Sequence, residues 1–405
     1  MKTELSASLI NTEEGKIADK ILRSCVHCGF CNATCPTYQI LGDENDGPRG
    51  RIYLIKQLLE GKAANQASRN HLDRCLTCRN CETTCPSGVQ YAQLLDIGRS
   101  HIEKTVPRPF KQRSVRTLLR TVLPYRKRFS FLFKTGQVLK PLLPKTIKKK
   151  MPRPVSKGNW PLKQHKRRML VLDGCVQPAL SPDINSATAR VLNKLGISLI
   201  RQKKAGCCGA VSQHLSAEDE ALTFMKHNID AWWPDIESGI EAIVITASGC
   251  GVMVKEYAHY LRNDPDYADK AQRVSALCKD IAEIIFEEDY KKLSLDSPSD
   301  SNIAWHPPCT LQHGQKINGV VEKILEDCGY QLVPVQDSHL CCGSAGTYSL
   351  LQPQLSGQLQ TNKITQLVKH NPETIVTANI GCQTHLQEAS DVPVIHWIHL
   401  LDTQG

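Results

Sequence analysis

The sequence predicts an α+β multidomain chain: an α-helical N-terminal domain, followed by two repeated α/β domains built on parallel sheets. Three observations carry that expectation. Two cysteine runs near the N-terminus share one spacing and are joined by stretches of helical periodicity. From residue 168 onward, short apolar runs alternate with helical stretches, which implies parallel strand pairing. That second half also repeats itself, cysteine for cysteine, at an offset of 134 residues for the first three cysteines and 132 for the last.

The first run is Cys25-x2-Cys28-x2-Cys31-x3-Cys35-Pro36 and the second Cys75-x2-Cys78-x2-Cys81-x3-Cys85-Pro86. This spacing wraps cubane iron–sulfur clusters: three neighbouring thiolates take one cluster, and the fourth reaches across to the other. On that rule one 4Fe-4S cluster is held by Cys25, Cys28, Cys31 and Cys85. The other is held by Cys35, Cys75, Cys78 and Cys81. Structural zinc prefers paired C-x2-C knuckles with a long spacer, and disulfides belong to short secreted domains, so both fit the pattern poorly. Each proline turns the backbone away after the fourth thiol.

Around these runs, residues 12–24 read as a helix capped by Thr12, with Glu13 and Glu14 in its first turn and Ile17, Ile21 and Leu22 in a stripe. A Gly/Pro-punctuated loop covers 43–51. Helices are expected at 51–60, stopped by Gly61, and at about 67–74. The α-helical double-cluster ferredoxin-type domain thus spans roughly 1–103.

Net charge is +10, unevenly spread: residues 104–168 hold 21 Lys or Arg and no Asp or Glu, leaving −11 elsewhere. Prolines 107, 109, 124, 141, 144, 152 and 154 cut this segment (104–167 as a domain) into pieces. Its apolar residues, among them Leu118, Leu119, Phe129, Phe131 and Leu132, interleave with the basic ones. It reads as a solvated linker or docking arm, or as an amphipathic segment for contact with an anionic membrane surface. No nucleic-acid-binding motif accompanies it. No run of about 18 apolar residues occurs, and Met1–Lys16 is polar, so neither a membrane-spanning helix nor a signal peptide is expected. Eighteen cysteines belong in the reducing cytoplasm.

The first repeat, 168–290, carries Cys175, Cys207-Cys208-Gly209 and Gly249-Cys250; the second, 291–405, carries Cys309, Cys341-Cys342-Gly343 and Gly381-Cys382. Strands are expected at 168–172, 197–201 and 241–246, and again at 302–305, 330–335 and 373–378. Helices are expected at 184–195 and 217–233, and at 315–327 and 354–369. All four cysteines of a copy then fall on loops at the strands' C-terminal ends and can meet at one metal. Gly209 and Gly343 give the backbone room to approach it. Gly249-x-Gly251 lacks the third glycine of a dinucleotide loop and is not read as one.

The double cysteine runs, the Gly47-Pro48-Arg49-Gly50-Arg51 loop, the two Cys-Cys-Gly repeats, His306-Pro-x-Cys309 and His313-Gly-Gln315 together resemble the iron–sulfur subunits of glycolate oxidase (glycolate dehydrogenase), over nearly the whole chain. The iron–sulfur subunits of anaerobic glycerol-3-phosphate dehydrogenase and of lactate-utilisation complexes are similar; the Cys-Cys-Gly subunit of heterodisulfide reductase is more distant. In that wider group the last element is often Cys-x-x-Cys. Ala247 and Asn379 stand at its first position here, which speaks against heterodisulfide chemistry. Four thiols per repeat suffice for one four-iron cluster or one zinc. The resemblance implies an oxidoreductase subunit acting on CH–OH donors, with no catalytic residue of its own. An FAD-bearing 2-hydroxy-acid dehydrogenase partner would oxidise substrate, and this chain would pass electrons through its clusters to a membrane quinone. The site implied is the cytoplasmic face of the inner membrane, with the basic segment touching it.

Other residues divide between roles. His306 and His313 offer hydrogen bonds to cluster sulfurs or a proton path, or merely pack; the first repeat has Gln177-Pro178 in that region. Arg49 and Arg51 offset cluster charge or bridge to carboxylates. Cys278, Cys328, Trp232 and Trp233 read as core or interface.

Overall fold

The computed structural model describes residues 1–142, 154–294, 299 and 301–402. Part of the basic segment, with Pro144 and Pro152, lies outside them. The chain forms two compact units: Met1–Thr117 with His339–Leu359, and Leu118–Ser338 with Gln360–Gly405.

The first unit is helical. Thr12 caps the helix Glu13–Ser24 by accepting from Gly15 N, and its stripe of Ala18, Ile21 and Leu22 is buried. That stripe shares a core with Ile52, Ile55 and Leu59 of the helix Pro48–Leu59. A helix at Tyr91–Thr105, outside the expected elements, adds Leu94, Leu95 and Ile102 to the same core. The helix Gln66–Asp73 is capped by Asn65.

The second unit holds two four-stranded parallel sheets of one topology. Strands β1 (Arg167–Val171), β2 (Ile197–Arg201), β3 (Ile243–Ile245) and β4 (Cys278–Asp280) run in the order β2-β1-β3-β4. Strands β5 (Asn302–His306), β6 (Gln331–Val333), β7 (Thr374–Thr377) and β8 (Val394–His396) run in the order β6-β5-β7-β8. The two sheets share an apolar core in which Met169, Val171 and Ile184 meet Trp305, Ile324 and Val376. The fourth strands are an addition to the expected three per repeat; each has three residues, too few to show a period. The long helix runs to Glu237 with Pro234 inside it. Where one helix over 315–327 is expected, a π-turn at Thr310–Gly314 precedes a helix Val320–Asp327. Lys316 and Gly319 take left-handed backbone between them and break the run.

Each fourth strand ends on a buried titratable group, Asp280 in one sheet and His396 in the other. Burial drives His396 down to about 3 and lifts Asp280 to about 6. As pH falls from about 6.5 to 3, the unfolded chain binds a proton at His396 that the folded one refuses, so His396 withdraws stability there. Asp280 has the opposite sign: its stabilisation is lost as pH rises from 3.8 to about 6. In His396→Asn, stability relative to wild type should improve by about 1.4 kcal/mol per pH unit below about 6.5. Paired thermal melts at pH 7 and 5 check this; an equal difference at both pH values refutes it.

Within the basic segment, helices run from Phe110 to Val122 and from Arg126 to Leu139, bounded by Pro109, Pro124 and Pro141. Neither buries a residue, and Phe131 and Val138 are 69% and 77% exposed. Among the described residues no helix is long and apolar enough to cross a membrane.

Candidate metal centres

Both N-terminal runs fold into the same loop. His27 and Gly29 in one, and Thr77 and Arg79 in the other, take left-handed backbone at matching positions between the cysteines. Three of these are not glycine, and such conformations persist only where the surroundings dictate them. The twist turns backbone N–H groups toward sulfur: Thr77 N donates to Cys75 Sγ at 3.4 Å.

The sulfurs gather in two groups. One recess, with about 430 Å³ of empty space partly open to solvent, is lined by Cys25, Cys28, Cys31 and Cys85. A second, of about 300 Å³, is lined by Cys35, Cys75, Cys78 and Cys81. Pro48, Cys81 and Tyr91 line both recesses. Burial, then repulsion from Cys25 and Cys85, pushes the Cys31 thiol up to about 11. Cys81 is raised well above the usual thiol range by burial and by Cys78 and Cys75. Four thiolates gathered this closely repel one another unless cationic metal compensates them, so the donor set fits an iron–sulfur cluster in each recess.

The second recess has a polar wall that the sequence hardly announces. Arg51 is 1% exposed; its guanidinium donates to Thr37 Oγ1 at 3.1 Å and His71 O at 2.7 Å, and lies 4.0 Å from Cys35 Sγ. It pairs at 3.5 Å with buried Asp46, which also accepts from Arg74 at 2.8 Å. Tyr91 OH donates to Cys75 Sγ at 3.6 Å, and buried Arg99 donates to Cys75 O at 2.7 Å. The Gly47–Arg51 motif marks Arg51; nothing in the sequence marks Asp46, Tyr91 or Arg99. Arg49, in contrast, is paired with Glu44 at 2.6 Å, both half-buried.

The first repeat brings its four cysteines together at the carboxyl ends of β1, β2 and β3, where strand order reverses. Cys207 hydrogen-bonds with Cys175 and Cys208, and Cys208 with Cys250. The Cys207 thiol is pushed up by its hydrogen bond with Cys175 and then by that with Cys208, and Cys250 by its bond with Cys208, which is pushed down by its bonds with Cys207 and Cys250. Asn228 and Tyr257 donate to the Cys207 and Cys208 carbonyls at 2.8 and 2.9 Å and fix the turn.

In the second repeat, Cys309 and Cys382 are buried in the second unit, at the ends of β5 and β7. Cys341 and Cys342 are buried on the segment belonging to the first unit. Asn379, at the fifth-cysteine position, donates to Cys382 Sγ at 3.6 Å. A ring nitrogen of His306 lies within 4.8 Å of that sulfur. His306 is buried, and burial holds it neutral, far below its ordinary range. His313 is buried on the π-turn. Cys278 and Cys328 are buried, and Trp232 is fully buried in the core; half-buried Trp233 donates to Glu237.

Gly209 and Gly343 bring their N–H groups onto Cys207 Sγ and Cys341 Sγ at 3.4 and 3.5 Å, and they meet a second constraint as well. Both take φ of +92°, and their missing Cβ faces the backbone of a following helix.

A 4Fe-4S dicluster domain family matches residues 21–89, and a cysteine-rich (CCG) domain family matches 169–255 and 303–387. The chain is 55% identical to a glycolate oxidase iron-sulfur subunit of Escherichia coli (strain K12), over 99% of this chain and 98% of that one. It is 26% identical to a probable glycolate oxidase iron-sulfur subunit of Bacillus subtilis (strain 168), over 94% and 92%. A lactate utilization protein A of Oceanobacillus iheyensis is 24% identical, over 56% of this chain and 94% of its own.

Proposed function

Because this chain belongs to the family of glycolate oxidase iron–sulfur subunits, we propose that it draws electrons from an FAD-bearing 2-hydroxy-acid dehydrogenase subunit and delivers them to a quinone-type acceptor. Iron–sulfur clusters supply one-electron steps. In this reading Cys25, Cys28, Cys31 and Cys85 ligate one cluster, and Cys35, Cys75, Cys78 and Cys81 the other. The observation that carries it is that the two recesses share Pro48, Cys81 and Tyr91 in their walls, so an electron moves between neighbouring centres. Cys175, Cys207, Cys208 and Cys250 would hold a further all-sulfur centre. Oxidation of the hydroxy acid belongs to the partner. Visible absorbance of the anaerobically isolated full chain should bleach with glycolate only when the flavoprotein subunit is added. Bleaching by glycolate alone would overturn the division of labour.

The helix Arg126–Leu139 supports a second element of the reading, contact with an anionic membrane surface. It has no acidic residue, and exposed Phe131, Leu132 and Val138 sit among exposed Lys127 and Lys134. Each basic residue near such a surface contributes about 1 kcal/mol. Replacing Lys127 and Lys134 by Gln should therefore weaken co-sedimentation with phosphatidylserine vesicles roughly thirtyfold. Unchanged binding, or binding insensitive to salt, removes this contact.

A further inference from the structure

The charges around the two thiol groups differ in kind. Beside Cys35, Cys75, Cys78 and Cys81 stands the buried guanidinium of Arg51, 4.0 Å from Cys35 Sγ, with buried Arg99 on the carbonyl of Cys75. Asp46 offsets Arg51, but Arg74 and the His71 ring share that carboxylate. Glu82 acts on Cys81 in the opposing sense. Tyr91 adds a hydroxyl donor to Cys75 Sγ. Beside Cys25, Cys28, Cys31 and Cys85 the arginine is Arg49, 38% exposed and neutralised by Glu44 at 2.6 Å. The half-exposed N-terminal ammonium meets Cys25 O at 2.9 Å, and Cys28 is itself exposed. Water screens those charges; it does not screen Arg51.

Reducing a cluster adds one negative charge to it. A desolvated cation and hydroxyl donor at its sulfurs favour that charge, whereas a solvated ion pair hardly changes it. We infer that Arg51, poised by Asp46, makes the Cys35/Cys75/Cys78/Cys81 cluster the higher-potential one of the pair, so that electrons collect there before leaving. This rests on the clusters of the proposed function but not on the identity of donor or acceptor.

The test is an anaerobic redox titration of the full chain, followed by electron paramagnetic resonance, on wild type and three variants. Arg51→Gln should lower the reduced-to-oxidised ratio of the higher-potential wave about tenfold at fixed potential, a shift of about 59 mV for one electron. Asp46→Asn leaves Arg51 uncompensated and should move the same wave upward. Opposite shifts are not what a merely structural role produces, and Asp46→Asn keeps the test alive if Arg51→Gln fails to load iron. Arg49→Gln should leave that wave in place. The inference is overturned if the lower wave moves instead, or if Asp46→Asn leaves both waves unmoved or lowers the upper one with iron content intact. Should the wave order hold while the flavoprotein fails to reduce the chain, only the proposed donor falls.

Discussion

Replacing Cys85 by Ser should extinguish the cluster whose other three thiols lie more than fifty residues earlier, and leave the cluster of its own run in place. Cys85 sits at the end of the run 75–85, yet it lines the recess of Cys25, Cys28 and Cys31 and raises the thiols of Cys25 and Cys31. Cys35 lines the other recess in the same crossed fashion. Pairing variants makes the test sharp. Adding Cys25→Ser to Cys85→Ser should cost no further electron paramagnetic resonance signal, because both residues serve one centre. Adding Cys75→Ser should remove the second signal as well. Additive loss in the first pair, or none in the second, would mean that each run keeps its own cluster.

Gly343→Ala should be among the most damaging single-methyl changes in the chain, and worse than Gly209→Ala. At φ of +92° any Cβ is strained, by roughly 1–2 kcal/mol. At Gly343 the added carbon would also lie 2.6 Å from Ser356 O and 2.9 Å from Leu359 Cβ, whereas at Gly209 the nearest atom, Ala221 O, is 3.1 Å away. Overpacking of that kind adds about 1–3 kcal/mol. The backbone that must shift carries Ser356, whose hydroxyl donates to Gly343 O at 2.8 Å. We expect about 2–5 kcal/mol lost for Gly343→Ala and about 1–3 for Gly209→Ala, from chemical unfolding of the full chain. Equal losses would show that strain alone governs both sites.

The grouping of the N-terminal sulfurs is legible because cysteine spacing is arithmetic, and arithmetic survives without knowing the turn. The turns themselves are not legible. Thr77 and Arg79 carry no propensity for left-handed backbone and His27 only a modest one, so the geometry around sulfur imposes it on them. Arg51 reads as offsetting cluster charge or bridging to carboxylates, but its full burial is not legible, since arginine is seldom buried without partners. Only the positions of Thr37, Asp46 and His71 in space give it those partners. The repeat exposes both sheets at once, because strands three to five residues long gain authority by recurring in register. What recurrence does not expose is β4 and β8, whose sequences, Cys278-Lys-Asp280 and Val394-Ile-His396, have nothing in common. The helix Tyr91–Thr105 is a different case. Its buried Tyr91, Leu94, Leu95 and Ile102 keep helical spacing, so the signal is present in the sequence.

The first unit is assembled from two distant stretches, 1–117 and 339–359. Tyr348 OH donates to Arg74 O at 3.0 Å, and Asn80 Nδ2 donates to His339 O at 3.1 Å, so the later stretch anchors the backbone flanking Cys75 and Cys81. The 221 residues 118–338 separate the two stretches. At about 5–20 residues per second, a ribosome needs on the order of ten seconds or more to supply the missing piece after the first has emerged. The nascent chain therefore presents its eight N-terminal cysteines before their pockets are complete, and iron delivered during translation would meet an unfinished cradle.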